Sequence, residues 1–381
     1  MPIFKNRAAL RWLVPVTAGV AVIGGGAAVG TLAAGADPAL PPRTAAQLLD
    51  DLRTSRLDGL SGTVVQRADL GLPPIADLAG LASGNELTSL LTGTHTLRVW
   101  YGGPERQRLA LVDTLGEHDM LRNGRDVWTW NSRSNTASHR TLPAGEAATP
   151  SAPATPADAA DRALAAIDPS TAVTVGRSAR VAGRDVYELV LTPRDADSLV
   201  HQVRIALDAK KHVPLRFEVL ADGADKPAFE VAFTQVDFRT PDADQFRFNP
   251  RPGVTVAEEK AEKPESTGKR LPGAAADRRP NGTDVRTVGT GWTTVVVARF
   301  DASAPAGLAD PDALRGDKGQ GGPAAGADAV AKVLGGLPKV SGDWGSGRLI
   351  SGKLFSVLLT DDGRVLAGLV TPERLYQAAR G

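Results

Sequence analysis

The chain has 381 residues, 44 basic and 43 acidic side chains giving a formal charge of +1, and no cysteine. The charge balance argues against a dedicated nucleic-acid binder. The lack of cysteine excludes disulfide scaffolds, Cys-ligated zinc, iron–sulfur clusters, thiol catalysis and a lipid-modified N-terminal cysteine. At 42% hydrophobic residues it is too apolar to be wholly disordered.

Lys5, Arg7 and Arg11 precede an uncharged run from Trp12 to Ala36. As a helix that run spans roughly 35 Å, enough to cross a ~30 Å hydrocarbon core. The cationic flank predicts that Met1 stays inside and the remainder is exported. Ala34-Gly35-Ala36 before Asp37 also fits a signal-peptide cleavage site. Residues 1–36 therefore read as a membrane anchor or signal segment, and the rest as extracytoplasmic.

Thr44-Ala45-Ala46-Gln47 has the spacing of a capping box, and Leu48, Leu49, Leu52 and Leu57 give the helix behind it one apolar face. From Ser61 the period becomes that of strands. Residues 67–94 form a Pro- and Leu-bearing insertion, read either as a loop folded on its own domain or as a flap. A meander follows, with Leu97, Val99 and Tyr101 alternating with polar neighbours, then Leu109 and Leu111. Asn123-Gly124 is a hairpin signal and delivers Trp128 and Trp130 on one side of the next strand. Thr155-Pro156 starts a second helix, with Ala160, Ala163, Leu164 and Ile167 as its apolar stripe. Strands are expected around 186–191, 201–207, 215–219 and 229–238, and the odd step from Phe233 to Val236 predicts a β-bulge. Short turns between consecutive strands imply antiparallel pairing.

Residues 257–282 read as a linker, in which charges of both signs alternate with Pro, Gly and Ala. The division predicted is thus 1–36, a mainly antiparallel β domain over 37–256, the linker over 257–282, and a small α+β domain over 283–381. In the last, Trp292–Phe300, 349–353, 354–360 and 365–370 are strand-like, 325–334 is a short helix, Asp361-Asp362-Gly363 turns a hairpin, and Thr371-Pro372-Glu373 starts a final helix.

No catalytic constellation stands out, so the chain reads as a non-enzyme with neither cofactor nor metal. The five histidines have none of the spacings that put two imidazoles on one helical face. Glu117-His118-Asp119 sits on a strand or turn where neighbours point apart, and reads as a solvated segment.

Several motifs in order resemble the LolA/RseB superfamily. They are Val181-Ala182-Gly183-Arg184-Asp185-Val186-Tyr187-Glu188-Leu189, Leu191-Thr192-Pro193-Arg194, a strand ending at Asp208, and Val213-Pro214-Leu215-Arg216. Asn123-Gly124 with Trp128 and Trp130 resembles the family's earlier hairpin, and Phe246-Arg247-Phe248-Asn249-Pro250 its closing motif. The resemblance covers about residues 44–256. It implies mostly β structure with α (α+β): a half-open antiparallel β-barrel lidded by helices around an apolar cavity. LolA carries lipoprotein acyl chains, whereas RseB binds an anti-sigma factor and adds a smaller C-terminal domain. The insertion at 67–94 departs from both, and an N-terminal segment retained as an anchor departs from the soluble carrier.

The apolar pattern fits either a closed core or such a cavity. The expected cavity residues are Val99, Tyr101, Leu109, Leu111, Trp128 and Trp130 from the meander, with Tyr187, Leu189 and Phe217 from the later strands. Lid candidates are Leu72, Ile75, Leu78, Leu164 and Ile167. The partners expected are lipid or lipoprotein acyl chains and the membrane, with an anti-sigma factor or other membrane protein as the alternative.

Overall fold

A computed structural model of the chain describes residues 38–71, 92–113, 116–143, 167–250, 252–258, 284–299 and 335–381. The expected anchor, the helix from Thr155, the insertion around Leu72, Ile75 and Leu78, the helix at 325–334 and most of the linker lie outside those residues. Among the described residues no helix is long and apolar enough to cross a membrane.

The capping box forms as predicted. The amide of Gln47 donates to Thr44 Oγ1 at 3.2 Å, and that of Thr44 to Gln47 Oε1 at 2.9 Å. They start helix α1 (Ala45–Thr54), which buries Leu48 and Leu52, one turn apart.

The first sheet begins with β1 (Leu60–Asp69), β2 (Thr92–Tyr101), β3 (Arg106–Asp113), β4 (Gly116–Asn123), β5 (Asp126–Asn131) and β6 (Thr136–Thr141). It continues with β7 (Thr171–Val175), β8 (Ala179–Val181), β9 (Arg184–Pro193), β10 (Val200–Asp208), β11 (Pro214–Ala221), β12 (Pro227–Asp237) and β13 (Thr255–Glu258). Its order is β13-β6-β5-β4-β3-β2-β1-β12-β11-β10-β9-β7, with β8 against β9, so the sheet stays open. It is a mostly β, half-open architecture of the kind expected.

The bulge falls where the sequence places it. Thr63 pairs with Gln235 and Val64 with Phe233, leaving Thr234 as the extra residue. The hairpin at Asn123-Gly124 differs in detail: Asn123 pairs with Asp126, so Gly124 (φ 63°) and Arg125 form the two-residue loop. Glycine thus takes the first central position, the only one of the two at positive φ.

Among the described residues the pairing in this sheet is antiparallel except at one edge. β13 runs parallel to β6, Glu258 opposite His139. The sequence assigns Ala257 and Glu258 to the linker; the structure gives them to the sheet. The tail reaches that edge by crossing the back of the meander, where a 3₁₀ turn at Ala243–Phe246 seats Phe246 at 1% exposure.

The second sheet holds β14 (Asp284–Val288), β15 (Val295–Arg299), β16 (Lys339–Gly342), β17 (Gly345–Ser351), β18 (Ser356–Thr360) and β19 (Arg364–Gly368), with helix α2 (Pro372–Ala379) packed on β18 and β19. The predicted strand at Trp292–Phe300 starts late, because Gly291–Thr293 is a 3₁₀ turn. That turn buries Trp292 in the first core, its Nε1 donating to Thr171 Oγ1 at 2.9 Å. Further links join the two sheets: Ser198 bridges Val370, the Leu199 amide donates to Leu369 O at 2.9 Å, and Lys353 Nζ lies 2.6 Å from Asp69 Oδ2.

Candidate functional site: the concave face of the half-barrel

Directly opposed residues of neighbouring strands share a face, so the register sorts the predicted site residues. Leu189 faces Ile205, Ile205 faces Phe217, and Phe217 faces Val231. Val231 lies across from Gln66, two residues from Val64 on the same side of β1. Val64 faces Leu97, Leu97 faces Leu111, and Val99 faces Leu109. By alternation Tyr187 and Tyr101 join them. Seven of the nine predicted cavity residues therefore share one face: Val99, Tyr101, Leu109, Leu111, Tyr187, Leu189 and Phe217.

Trp128 and Trp130 do not. They oppose Leu121 and Asp119 of β4, whereas Leu109 and Leu111 oppose Met120 and His118. The tryptophans are on the back of the sheet, facing the tail. Trp128 stacks on His139 with ring centroids 4.2 Å apart and lies 5.0 Å from Phe248.

The concave face is covered unevenly. Over β7 and β9 it is closed by α1, which brings Leu48 (0% exposed) into the same core as Leu189, Ile205, Leu215 and Phe233. Tyr187 is buried there too and donates from its hydroxyl to Pro41 O at 2.9 Å. Leu97 and Val99 are still buried on β2, Leu109 and Leu111 are half-buried on β3, and Met120 on β4 is 38% exposed. Of the lid candidates, Ile167 packs against this core, while Leu72, Ile75, Leu78 and Leu164 lie outside the described residues.

The family-like motif residues hold the frame. Ala182 (φ 49°) and Gly183 (φ 74°) turn β8 into β9 and bring Arg184 to Asp208. Arg184 Nη2 donates to Asp208 Oδ1 at 3.0 Å and Arg184 Nε to the other oxygen, while the amides of Lys210 and Lys211 donate at 3.0 and 2.7 Å. Burial alone would raise the Asp208 carboxyl; the Arg184 hydrogen bond, the two amides and the guanidinium charge outweigh it and hold the pKa below its ordinary value. Arg184 also stacks over Phe238 at 4.6 Å.

Asp119 is a correction to the sequence reading. Glu117, His118 and Asp119 do alternate, but Asp119 is buried, its Oδ2 2.5 Å from Arg108 Nη2, and Arg108 stacks on Trp100 at 4.9 Å. Burial raises its pKa, with Arg108 opposing. The site missed altogether is the edge around His139. Its Nδ1 lies 2.9 Å from Glu258 and its Nε2 3.1 Å from Asp126. Burial alone would lower the imidazole pKa, but the two carboxylates raise it above the ordinary value.

No curated protein matches the chain. Among solved structures it is similar to the MucA/MucB complex of Pseudomonas aeruginosa, at 16% identity over 88% of this chain and 96% of that one, TM-score 0.41. It is also similar to a LolA superfamily protein of Nitrosomonas europaea, at 14% identity over 54% of this chain and 99% of that one, TM-score 0.21. Residues 90–253 match the MucB/RseB N-terminal domain family. Over that stretch the half-barrel of this chain is similar to the LolA/RseB-like superfamily.

Proposed function

We propose that this is a membrane-tethered extracytoplasmic protein that binds acyl chains of a lipid or lipoprotein on the open stretch of its concave face. The observation that carries the reading is the exposure gradient of the apolar residues along one side of the sheet: buried at Leu97 and Val99, half-buried at Leu109 and Leu111, exposed at Met120. Monomeric proteins rarely leave such a surface uncovered without a binding use. Acyl chains suit it because they need no polar partners, and each methylene removed from water contributes about 0.8 kcal/mol. The superfamily consists of extracytoplasmic binding and regulatory proteins rather than enzymes, in keeping with this reading. The tether proposed is the uncharged run from Trp12 to Ala36.

The test uses the exported chain from Asp37 and a fluorescent fatty-acid probe. Leu111→Asp is expected to weaken probe binding at least tenfold while Val285→Asp, on the second sheet, leaves it unchanged. Equal affinity for all three proteins overturns the assignment.

A second reading is supported by the match of residues 90–253 to the MucB/RseB N-terminal domain family: the half-barrel binds an anti-sigma factor or another membrane protein. Native mass spectrometry of protein purified from membranes separates the two. Lipid alone favours the carrier; a stoichiometric membrane protein favours the regulator.

A further inference from the structure

The edge of the first sheet at β6 carries an arrangement that the concave face does not use. β13 is a four-residue strand, exposed at every position, paired in parallel to β6. Parallel pairing is slightly weaker per residue than antiparallel. The chain before it is held far more firmly, because Phe246 is buried and Phe248 packs on Trp128. Among the described residues, what fixes β13 is backbone pairing and Glu258 accepting from His139 Nδ1, with Asn135 Nδ2 donating to Gly253 O at 2.7 Å just before it. Val256 lies in the row Val256, Ala137, Trp130, and remains 38% exposed.

An unprotected edge strand accepts another strand, and its side-chain rows decide which one. We propose that β6 is a strand-acceptor site, occupied here by the protein's own tail, and that its partner is an extended segment of another protein running parallel to β6. That segment carries an apolar, β-branched residue two positions before an Asp or Glu. The apolar residue takes the place of Val256 beside Ala137 and Trp130. The acid takes the place of Glu258 on His139, whose other nitrogen stays on Asp126. β13 is the internal competitor that keeps the edge covered until the partner arrives. None of this depends on what the concave face binds.

The experiment uses the exported chain and a labelled, blocked peptide with the sequence of residues 253–258, followed by fluorescence anisotropy. Because the tethered strand competes at a high effective concentration, wild-type protein is expected to bind weakly. A chain carrying Val256→Asp and Glu258→Lys, both at exposed positions, is expected to bind about tenfold tighter or more. On that chain, a peptide with Gln for its Glu is expected to lose most of the gain. A second variant, Ser138→Cys with Ala257→Cys, places the only two cysteines of the chain at paired positions. Oxidised, it should bind no peptide; reduced, it should return to wild-type behaviour. The proposal is overturned if the β13 variant binds no tighter than wild type, if the Gln peptide binds as well as the Glu peptide, or if the oxidised protein still binds.

Discussion

Strands β9 to β2 and strands β3 to β5 turn the same side toward the hollow of one sheet, yet the two stretches end in different states. On the first, α1 lies across β7 and β9, and Leu48, Leu189 and Ile205 are all fully buried. On the second, Leu109 and Leu111 are half-buried and Met120 is exposed. Alternation on a strand therefore sets which face is apolar, whereas coverage decides whether that face is buried. The closed half anchors the fold and frees the other half from carrying it.

The comparison predicts opposite responses to the same truncation. Leu48→Ala removes a fully buried side chain between α1 and the sheet and is expected to cost about 3 kcal/mol. Leu111→Ala should cost about 1 kcal/mol or less, yet weaken the fatty-acid probe about fivefold. Urea melts and probe titrations of both variants check this. A larger stability loss for Leu111→Ala would mean the open half is closed in solution.

Within the closed half, the Arg184 and Asp208 pair is the next largest expected effect. Asp208→Ala leaves Arg184 and two turn amides without their acceptor, which is expected to cost about 3 kcal/mol, less any hydration the partly exposed guanidinium recovers. The Asp208 pKa lies below its unfolded value, near 3.9. Its contribution is therefore present above that value and lost as pH falls through the lower folded one. The gap between wild type and variant should close in strong acid; a gap that persists there would mean the carboxylate is not what holds the turn.

Much of this was legible beforehand because its signals are local. The capping box needs four residues, the bulge shows as the step from Phe233 to Val236, and glycine at 183 marks the turn ahead of Arg184. That seven of the expected residues share one face was legible because each strand declares its apolar side. The face of Trp128 and Trp130 was not, since it depends on the register of every hairpin between Leu109 and Trp130. Asn123 pairing with Asp126 fixes the last of these. Nor was the burial of Asp119 beside Arg108, which depends on the pairing of β3 with β4. The parallel pairing of β13 joins residues 119 apart through Glu258 and His139, and no local pattern announces it.

The back of the sheet sharpens the contrast from the other side. Trp128 packs against His139 and Phe248, away from the hollow. Trp128→Ala is expected to cost about 2 kcal/mol, less than a fully buried tryptophan, and to leave the probe affinity of the folded protein unchanged. Weaker probe binding at unchanged stability would put the ligand on the back face instead.

The smallest effect expected is the most diagnostic for the edge. His139 presents both ring nitrogens to carboxylate oxygens, Asp126 on β5 and Glu258 on β13, with the Trp128 ring against its face. Neutral imidazole has one N–H and can satisfy only one of them; the imidazolium satisfies both. The folded site therefore favours the charged form, and the His139 pKa lies above its ordinary value near 6.5. A raised pKa contributes stability that is fully present below the unfolded value and disappears as pH rises through the folded one. The stability difference between wild type and His139→Gln should accordingly be largest near pH 5 and shrink steadily above neutrality. With Glu258→Gln in the background, one of the two carboxylates is gone, so the same pH dependence should shrink without vanishing, because Asp126 remains. A difference that stays constant with pH, or one untouched by Glu258→Gln, would mean that His139 does not hold the tail to the sheet through its charge.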